Sequence, residues 1–231
     1  MMNQQIFAGS RFIVLTGNYG SGKTEIALNL ALGYAESGQK TTLVDLDIVN
    51  PYFRSGEKKT EMEAAGIRML MPTYALTTVD IPALPPEIQS VFEIPSDRVV
   101  FDVGGDDTGA DALGRYHPAF DTRKDVTRMA LVINCMRPLT QDEEDIIDLA
   151  ERISSRSRMR IDMLINNTNL ADQTTGEMVE AGERIVRSCA ERMGILSVVT
   201  AAKPEILKQI TTELPCLPVR RYMAPEWMEE L

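Results

Sequence analysis

Gly17-Asn18-Tyr19-Gly20-Ser21-Gly22-Lys23-Thr24 stands between an apolar run, Phe12 to Leu15, and an amphipathic one, Ile26 to Tyr34, and fits the pattern G-x4-G-K-[ST]. A strand, a glycine-rich loop and a helix start in that order form a cradle for the phosphates of a nucleoside triphosphate. The glycines let backbone N–H groups curl towards phosphate oxygens, Lys23 reaches the β- and γ-phosphates, and the Thr24 hydroxyl ligates Mg2+. At ordinary residue frequencies a chance match in a chain this long is on the order of 1%, so a plain glycine-rich turn is the weaker reading. Glu25, the next residue, is grouped with Gly17 to Thr24 as a candidate nucleotide contact.

Two further stretches place acids at the ends of apolar runs: Leu43-Val44-Asp45-Leu46-Asp47 and Val99-Val100-Phe101-Asp102-Val103-Gly104-Gly105. In a doubly wound sheet ligands lie at the carboxyl ends of the strands. Asp102 is therefore placed to hold a Mg2+-bound water and Asp47 to orient an attacking water. Gly104-Gly105 permits close approach of the backbone to a γ-phosphate, which would make 104–111 a switch. Asp106, Asp107 and Asp111 follow, either as a polar hinge, as a rim facing a cation or as a plain solvated loop.

Short runs rich in Val and Ile alternate with longer segments of helical period. This predicts an α/β fold, a doubly wound, mostly parallel sheet of about seven to eight strands with helices on both faces. Strands are expected near 11–16, 40–46, 67–71, 98–103, 129–135, 160–166 and 195–200, and helices near 22–37, 56–65, 108–117, 140–155, 174–193 and 204–210. Gly38, Gly66 and Gly194 are the expected helix terminators. Segments 47–56 and 72–97 break the rule of short connections, the second through Pro72, Pro82, Pro85, Pro86 and Pro95.

With 231 residues and 44% hydrophobic composition the chain reads as one domain over 1–231. Met1 to Arg11 lacks the apolar core of a secretion signal, and no apolar run nears the roughly 18 residues of a membrane span; the expected location is the cytoplasm. A net charge of −10 argues against nucleic acid and anionic membrane as partners. The basic cluster Arg152, Arg156, Arg158 and Arg160 follows a predicted helix whose C-terminal dipole favours cations, with partner docking as the alternative. Cys135, Cys189 and Cys216 form neither a disulfide framework nor a C-x2-C motif, and the single histidine, His117, excludes a multi-histidine metal site within one chain.

Taken together, the loop at 17–24, Leu43-Val44-Asp45-Leu46-Asp47-Ile48-Val49-Asn50-Pro51 and Val99 to Gly105 resemble the MinD/ParA class of P-loop ATPases. That class includes the nitrogenase iron protein and the carbon monoxide dehydrogenase nickel-insertion ATPase. The resemblance implies ATP and Mg2+ as cofactors, Lys23 and Thr24 at the phosphates and metal, Asp47 as the catalytic acid of switch I supported by Asn50, and Asp102 with Gly105 as switch II. It also implies a homodimer or a partner protein docking on the switch face, with metalloenzyme maturation among the possible settings. The class usually carries a second lysine after the first loop glycine, reaching across the dimer; here Asn18 stands there, which implies slow turnover or another cation such as Arg54. No cysteine lies in 103–120, against an iron–sulfur cluster. GTP-binding relatives carry N-K-x-D where this chain has Asn166-Asn167-Thr168-Asn169; Asn166 without the Lys and Asp favours adenine. Two alternatives remain: a small-molecule ligase or kinase using loop 72–97 with Arg115 or Arg123 as anion holder, and a low-turnover nucleotide-binding regulator.

Overall fold

A computed structural model describes residues 5–47, 59–71 and 86–223. The elements are β1 (Phe12–Thr16), α1 (Lys23–Glu36), β2 (Thr41–Leu46), α2 (Lys59–Ala64), β3 (Arg68–Leu70), α3 (Pro86–Gln89), β4 (Arg98–Val103), α4 (Asp107–Arg115), α5 (His117–Asp121), β5 (Thr127–Ile133), α6 (Glu143–Ser157), β6 (Met163–Asn166), α7 (Gly176–Met193), β7 (Ser197–Ala202), α8 (Pro204–Leu207) and β8 (Cys216–Pro218). Eight strands form one sheet in the order β3-β2-β4-β1-β5-β6-β7-β8, and every pairing is parallel. Chain order runs outwards from β1 to one edge, returns to insert β4 beside β1, then runs to the other edge. The C-terminal tips of β1, β2 and β4 therefore meet where the winding reverses, the place such sheets offer to ligands.

Strand β1 shows why the sheet is buried on both faces. Phe12 and Val14 point into a cluster with Phe101, Leu131, Ile146 and Val186, while Ile13 and Leu15 point into another with Val100, Val132, Ile26 and Tyr34. A period of two with apolar residues at both phases requires helices on both sides. Helix α1 is sunk so deeply that Ile26, Ala27, Leu28, Leu30 and Ala31 are all fully buried, which anchors the helix start that carries Lys23 and Thr24.

Three elements lack a sequence expectation. Ile88 of α3 and Phe120 of α5 belong to the same core cluster as Phe92 and Phe101, in which the Phe92 ring meets Phe120 at 5.0 Å edge to face and Phe101 at 6.1 Å. Tertiary packing, rather than local period, holds these short segments. Strand β8 has three residues and ends in Pro218, as suits a sheet edge. Helices α4, α6 and α7 begin on side-chain caps: Asp106 accepts from Gly109 N, Asp142 from Asp145 N and Thr175 from Met178 N. Among the described residues no helix is long and apolar enough to cross a membrane.

Candidate functional site

Strand β1 ends at Thr16 and α1 starts at Lys23, so the glycine-rich loop is a turn locked between a buried strand and a buried helix. Lys23 is 6% exposed and its Nζ lies 3.4 Å from Asp47 Oδ2, directly after β2. The Thr24 hydroxyl donates to Asp102 Oδ2 at 2.6 Å. Asp47 is itself positioned: its amide donates to Asp45 Oδ1 at 2.9 Å, and its Oδ1 would lie 3.4 Å from a Cβ placed on Gly104. Three strand tips thus bring Lys23, Thr24, Asp47 and Asp102 to one point. Asn50 and Arg54 lie outside the described residues, as does 72–85 of the expected acceptor loop.

Asp102 carries the strongest electrostatic tension there. It is 1% exposed, and its second oxygen, Oδ1, is buried without a hydrogen-bond partner. Burial pushes its carboxyl up to about 6, opposed by the Lys23 charge and the Thr24 hydrogen bond, with the Asp47 charge adding to the rise. An orphaned carboxylate oxygen beside a hydroxyl and a second carboxylate is a hard-oxygen donor set, which fits Mg2+. Thr24, Asp102 and Asp47 are the residues that would hold it.

The switch candidate is packed directly on the phosphate loop. A Cβ at Gly105 would collide with the Gly17 carbonyl, so only glycine allows this approach. Asp106 caps α4, and Asp107 and Asp111 pair with Arg156 of α6 at 2.8 and 3.1 Å. The acidic cluster is therefore a helix cap and an ion-paired rim. Arg156 and Arg158 of the basic cluster are spent within the fold, Arg158 donating to the Gly114 carbonyl.

The loop's second residue behaves locally. Asn18 Oδ1 accepts from the Tyr19 amide at 2.8 Å, while the Tyr19 ring is exposed. Glu25, grouped above with the nucleotide contacts, has a carboxylate that accepts from the backbone amides of Tyr222 and Met223 at 2.8 and 2.6 Å. Beside it Asn29 bonds both the N–H and C=O of Arg220, at 2.8 Å each. Together they strap the chain after β8 across α1.

A cleft of about 380 Å3 opens over the loop. Its phosphate end is lined by Gly20, Gly22, Lys23 and Thr24, its other end by Asn169, Ala202, Lys203, Val219 and Met223. Asn166 does not reach it: it is fully buried, its amide nitrogen donates to Val179 O, and its oxygen accepts from Thr168. Asn167 does. Its Nδ2 donates to Ser21 O at 2.7 Å and occupies the space a Cβ on Gly22 would need. Asn134, unmarked in the sequence reading, is a fully buried hub at the end of β5, with Nδ2 donating to Gly20 O and Asn169 O and Oδ1 accepting from Met136 N and Asn169 N. Its only sequence signal is an asparagine at a strand tip. Arg123 donates to the carbonyls of Ala119 and Phe92, so its guanidinium serves the fold; His117 opens the short helix α5.

No protein-family profile matches the chain, and no curated protein does. Solved structures do. The chain is similar to the signal recognition particle 54 kDa protein of Aeropyrum pernix K1 in complex with GDP, at 23% identity and TM-score 0.53, covering 83% of this chain and 42% of that one. It is similar to the cell division protein FtsY of Thermotoga maritima, at 17% and 0.52, covering 88% and 70%. It is also similar to the hydrogenase maturation factor HypB of Archaeoglobus fulgidus, at 12% and 0.50, covering 86% and 87%. At such identities the likeness establishes the fold, and the fold is that of the nucleotide-binding P-loop NTPases. The narrower MinD/ParA class rests on the sequence motifs alone.

Proposed function

We propose that the chain is a single-domain, Mg2+-dependent ATPase of the MinD/ParA kind whose nucleotide state controls docking of a partner protein or of a second copy. A metalloenzyme under maturation is the client class that the resemblance implies. The observation that carries the reading is the pairing of Thr24 with Asp102, whose other oxygen is buried and unpartnered, opposite the Lys23–Asp47 ion pair. Mg2+, when bound, supplies neutralisation of charge on the β- and γ-phosphate oxygens. Lys23 exchanges its contact with Asp47 for the phosphates, which leaves the Asp47 carboxylate to orient a water towards the γ-phosphorus. The Gly105 amide, in backbone packed on the loop at Gly17, is the group we assign to sense a γ-phosphate. Displacement there moves α4, whose rim is tied to α6 by Arg156.

Adenine is supported by what lines the far end of the cleft. Guanine N1 and N2 need an acceptor, best a carboxylate. Among the described residues the carboxylates that line the cleft are Asp47, paired with Lys23 at 3.4 Å, and Glu25, which accepts from the Tyr222 and Met223 amides, while Asp172, beside the lining residue Ala171, is engaged by Lys203 at 2.7 Å and Arg221 at 3.5 Å. The Asn169 carboxamide donates to Asn167 O and accepts from Ala171 N. Counting N-K-x-D from Asn167 puts Leu170 in the acidic position, and counting from Asn169, which also lines the cleft, puts Asp172 there, the carboxylate that Lys203 and Arg221 already engage. Titration calorimetry with Mg-ATP, Mg-GTP and each nucleotide in EDTA tests the proposal. ATP uptake that disappears in EDTA is expected. Uptake of neither nucleotide overturns it, and preference for GTP reverses the base assignment.

A further inference from the structure

We propose that Arg137, from the loop between β5 and α6, is a second phosphate-binding cation of this cleft beside Lys23, supplied by the same chain in place of the lysine absent at position 18. The inference rests on the nucleotide reading and adds a residue to it. Four cations line the cleft: Lys23, Arg137, Lys203 and Arg221. Lys23 pairs with Asp47, and Lys203 and Arg221 both pair with Asp172. Among the described residues no carboxylate pairs with Arg137.

The position of Arg137 is built rather than incidental. Its Nε donates to the Gly20 carbonyl at 3.3 Å, and a Cβ on Gly20 would lie 2.9 Å from that nitrogen and 3.3 Å from Cζ, so the guanidinium lies flat on the loop where glycine leaves room. Its backbone is fixed by a turn in which Arg137 N donates to Asn134 O, Thr140 N donates to Arg137 O, and the buried Thr140 hydroxyl donates to Asn134 O at 2.8 Å. Asn134 in turn holds Gly20 O. With Nε on the loop, the two Nη groups of the planar fork have no partner among the described residues, and Arg137 lines the same cleft as Lys23 and Thr24. A fork held by one edge and open at the other is the geometry that grips a phosphate oxygen with paired N–H groups. Asn18, folded onto the Tyr19 amide, leaves that task undone.

The test compares the wild type with Arg137→Ala and Arg137→Lys by titration calorimetry, using Mg-ATP and inorganic tripolyphosphate, together with melting of the ligand-free proteins. Arg137→Ala should weaken both ligands by the same factor, about 10- to 100-fold, and flatten the salt dependence of binding while leaving apo melting unchanged. Arg137→Lys should recover part of the loss, because it restores charge without the fork. Equal affinity of Arg137→Ala and wild type overturns the assignment. So does a loss for ATP with none for tripolyphosphate, which places the side chain at the base or ribose, and so does a fall in apo melting that accounts for the lost affinity. A wild-type chain that binds neither ligand sinks the nucleotide reading itself, a different result from a wild type that binds and a variant that binds as well.

Discussion

The two ends of the cleft are built in opposite ways. The phosphate end is made of side chains and glycines close together in sequence, Gly17 to Thr24, and of acids one or two steps from a strand tip, Asp47 and Asp102. The far end is made from separate returns of the chain: Asn169, Ala171 and Thr174 after β6, Ala202 at the end of β7 with Lys203 beyond it, and Val219, Arg221 and Met223 after β8. On the proposed nucleotide reading, the difference follows from the ligand. Phosphate is the same in every nucleotide and wants one charge pattern, which a short motif can encode. A base offers an edge and two flat faces, which any apolar wall with a few backbone polar groups can meet.

Breaking the phosphate end should have the largest effect. Lys23→Ala removes a buried cation and leaves Asp47 without its partner, so Mg-ATP affinity in calorimetry should fall on the order of 10³-fold. Retained binding would mean that the loop is not the phosphate site. Next comes Asp102→Asn, where ligand binding and stability should move in opposite directions. With a folded-state carboxyl at about 6 against a reference of 3.8, the folded protein binds this proton more tightly than the unfolded chain. The stability so gained is complete below the lower value and is lost as pH rises through about 6. At pH 8 the ionised carboxylate is a cost of at most about 3 kcal/mol, which the neutral amide relieves. Melting of the apo variant should therefore rise at pH 8 and stay level at pH 4, while Mg2+ dependence of ATP binding is lost. A lower melting temperature at pH 8 would show that the carboxylate is favourably solvated. Asp47→Ala should leave affinity within about threefold and cut phosphate release by about 100-fold; normal turnover would remove Asp47 from the chemistry.

How far the sequence could be read follows the same divide. Loop, strand tips and the parallel, doubly wound class of the sheet were open to reading because strand-loop-helix context and a two-residue period are local properties. Asn166 was the expected base contact, yet it turns into the fold towards Val179 and Thr168, and Asn167 faces the loop. A slip of one residue at a strand end exchanges the two faces, and composition does not mark the phase. Glu25 adjoins Thr24 and lines the cleft, as a residue beside the motif should, but its partners Tyr222 and Met223, 197 and 198 residues away, had no signal in the sequence. Asn134 and Arg137 lie between β5 and α6 in a stretch without a motif, and only the pairing of β5 with β1 brings them to Gly20.

Glu25 also supplies the smallest expected effect and the sharpest contrast between the two ends. Its carboxylate belongs to the first turn of α1, where negative charge is favoured by the helix dipole, and it lines the cleft while bonding the strap. Two charge-assisted bonds to backbone amides, with Asn29 closing a second pair on Arg220, hold Val219 and Met223 as a wall of the far end. Glu25→Ala should lower apo stability by about 1.5 kcal/mol and weaken ATP about tenfold, while affinity for inorganic tripolyphosphate stays within about twofold. If tripolyphosphate weakens as much as ATP, the strap acts on the loop through α1, and the two ends of the cleft are one unit. If ATP alone weakens, they are separable: a phosphate site written into one short motif, and a base site assembled by the fold.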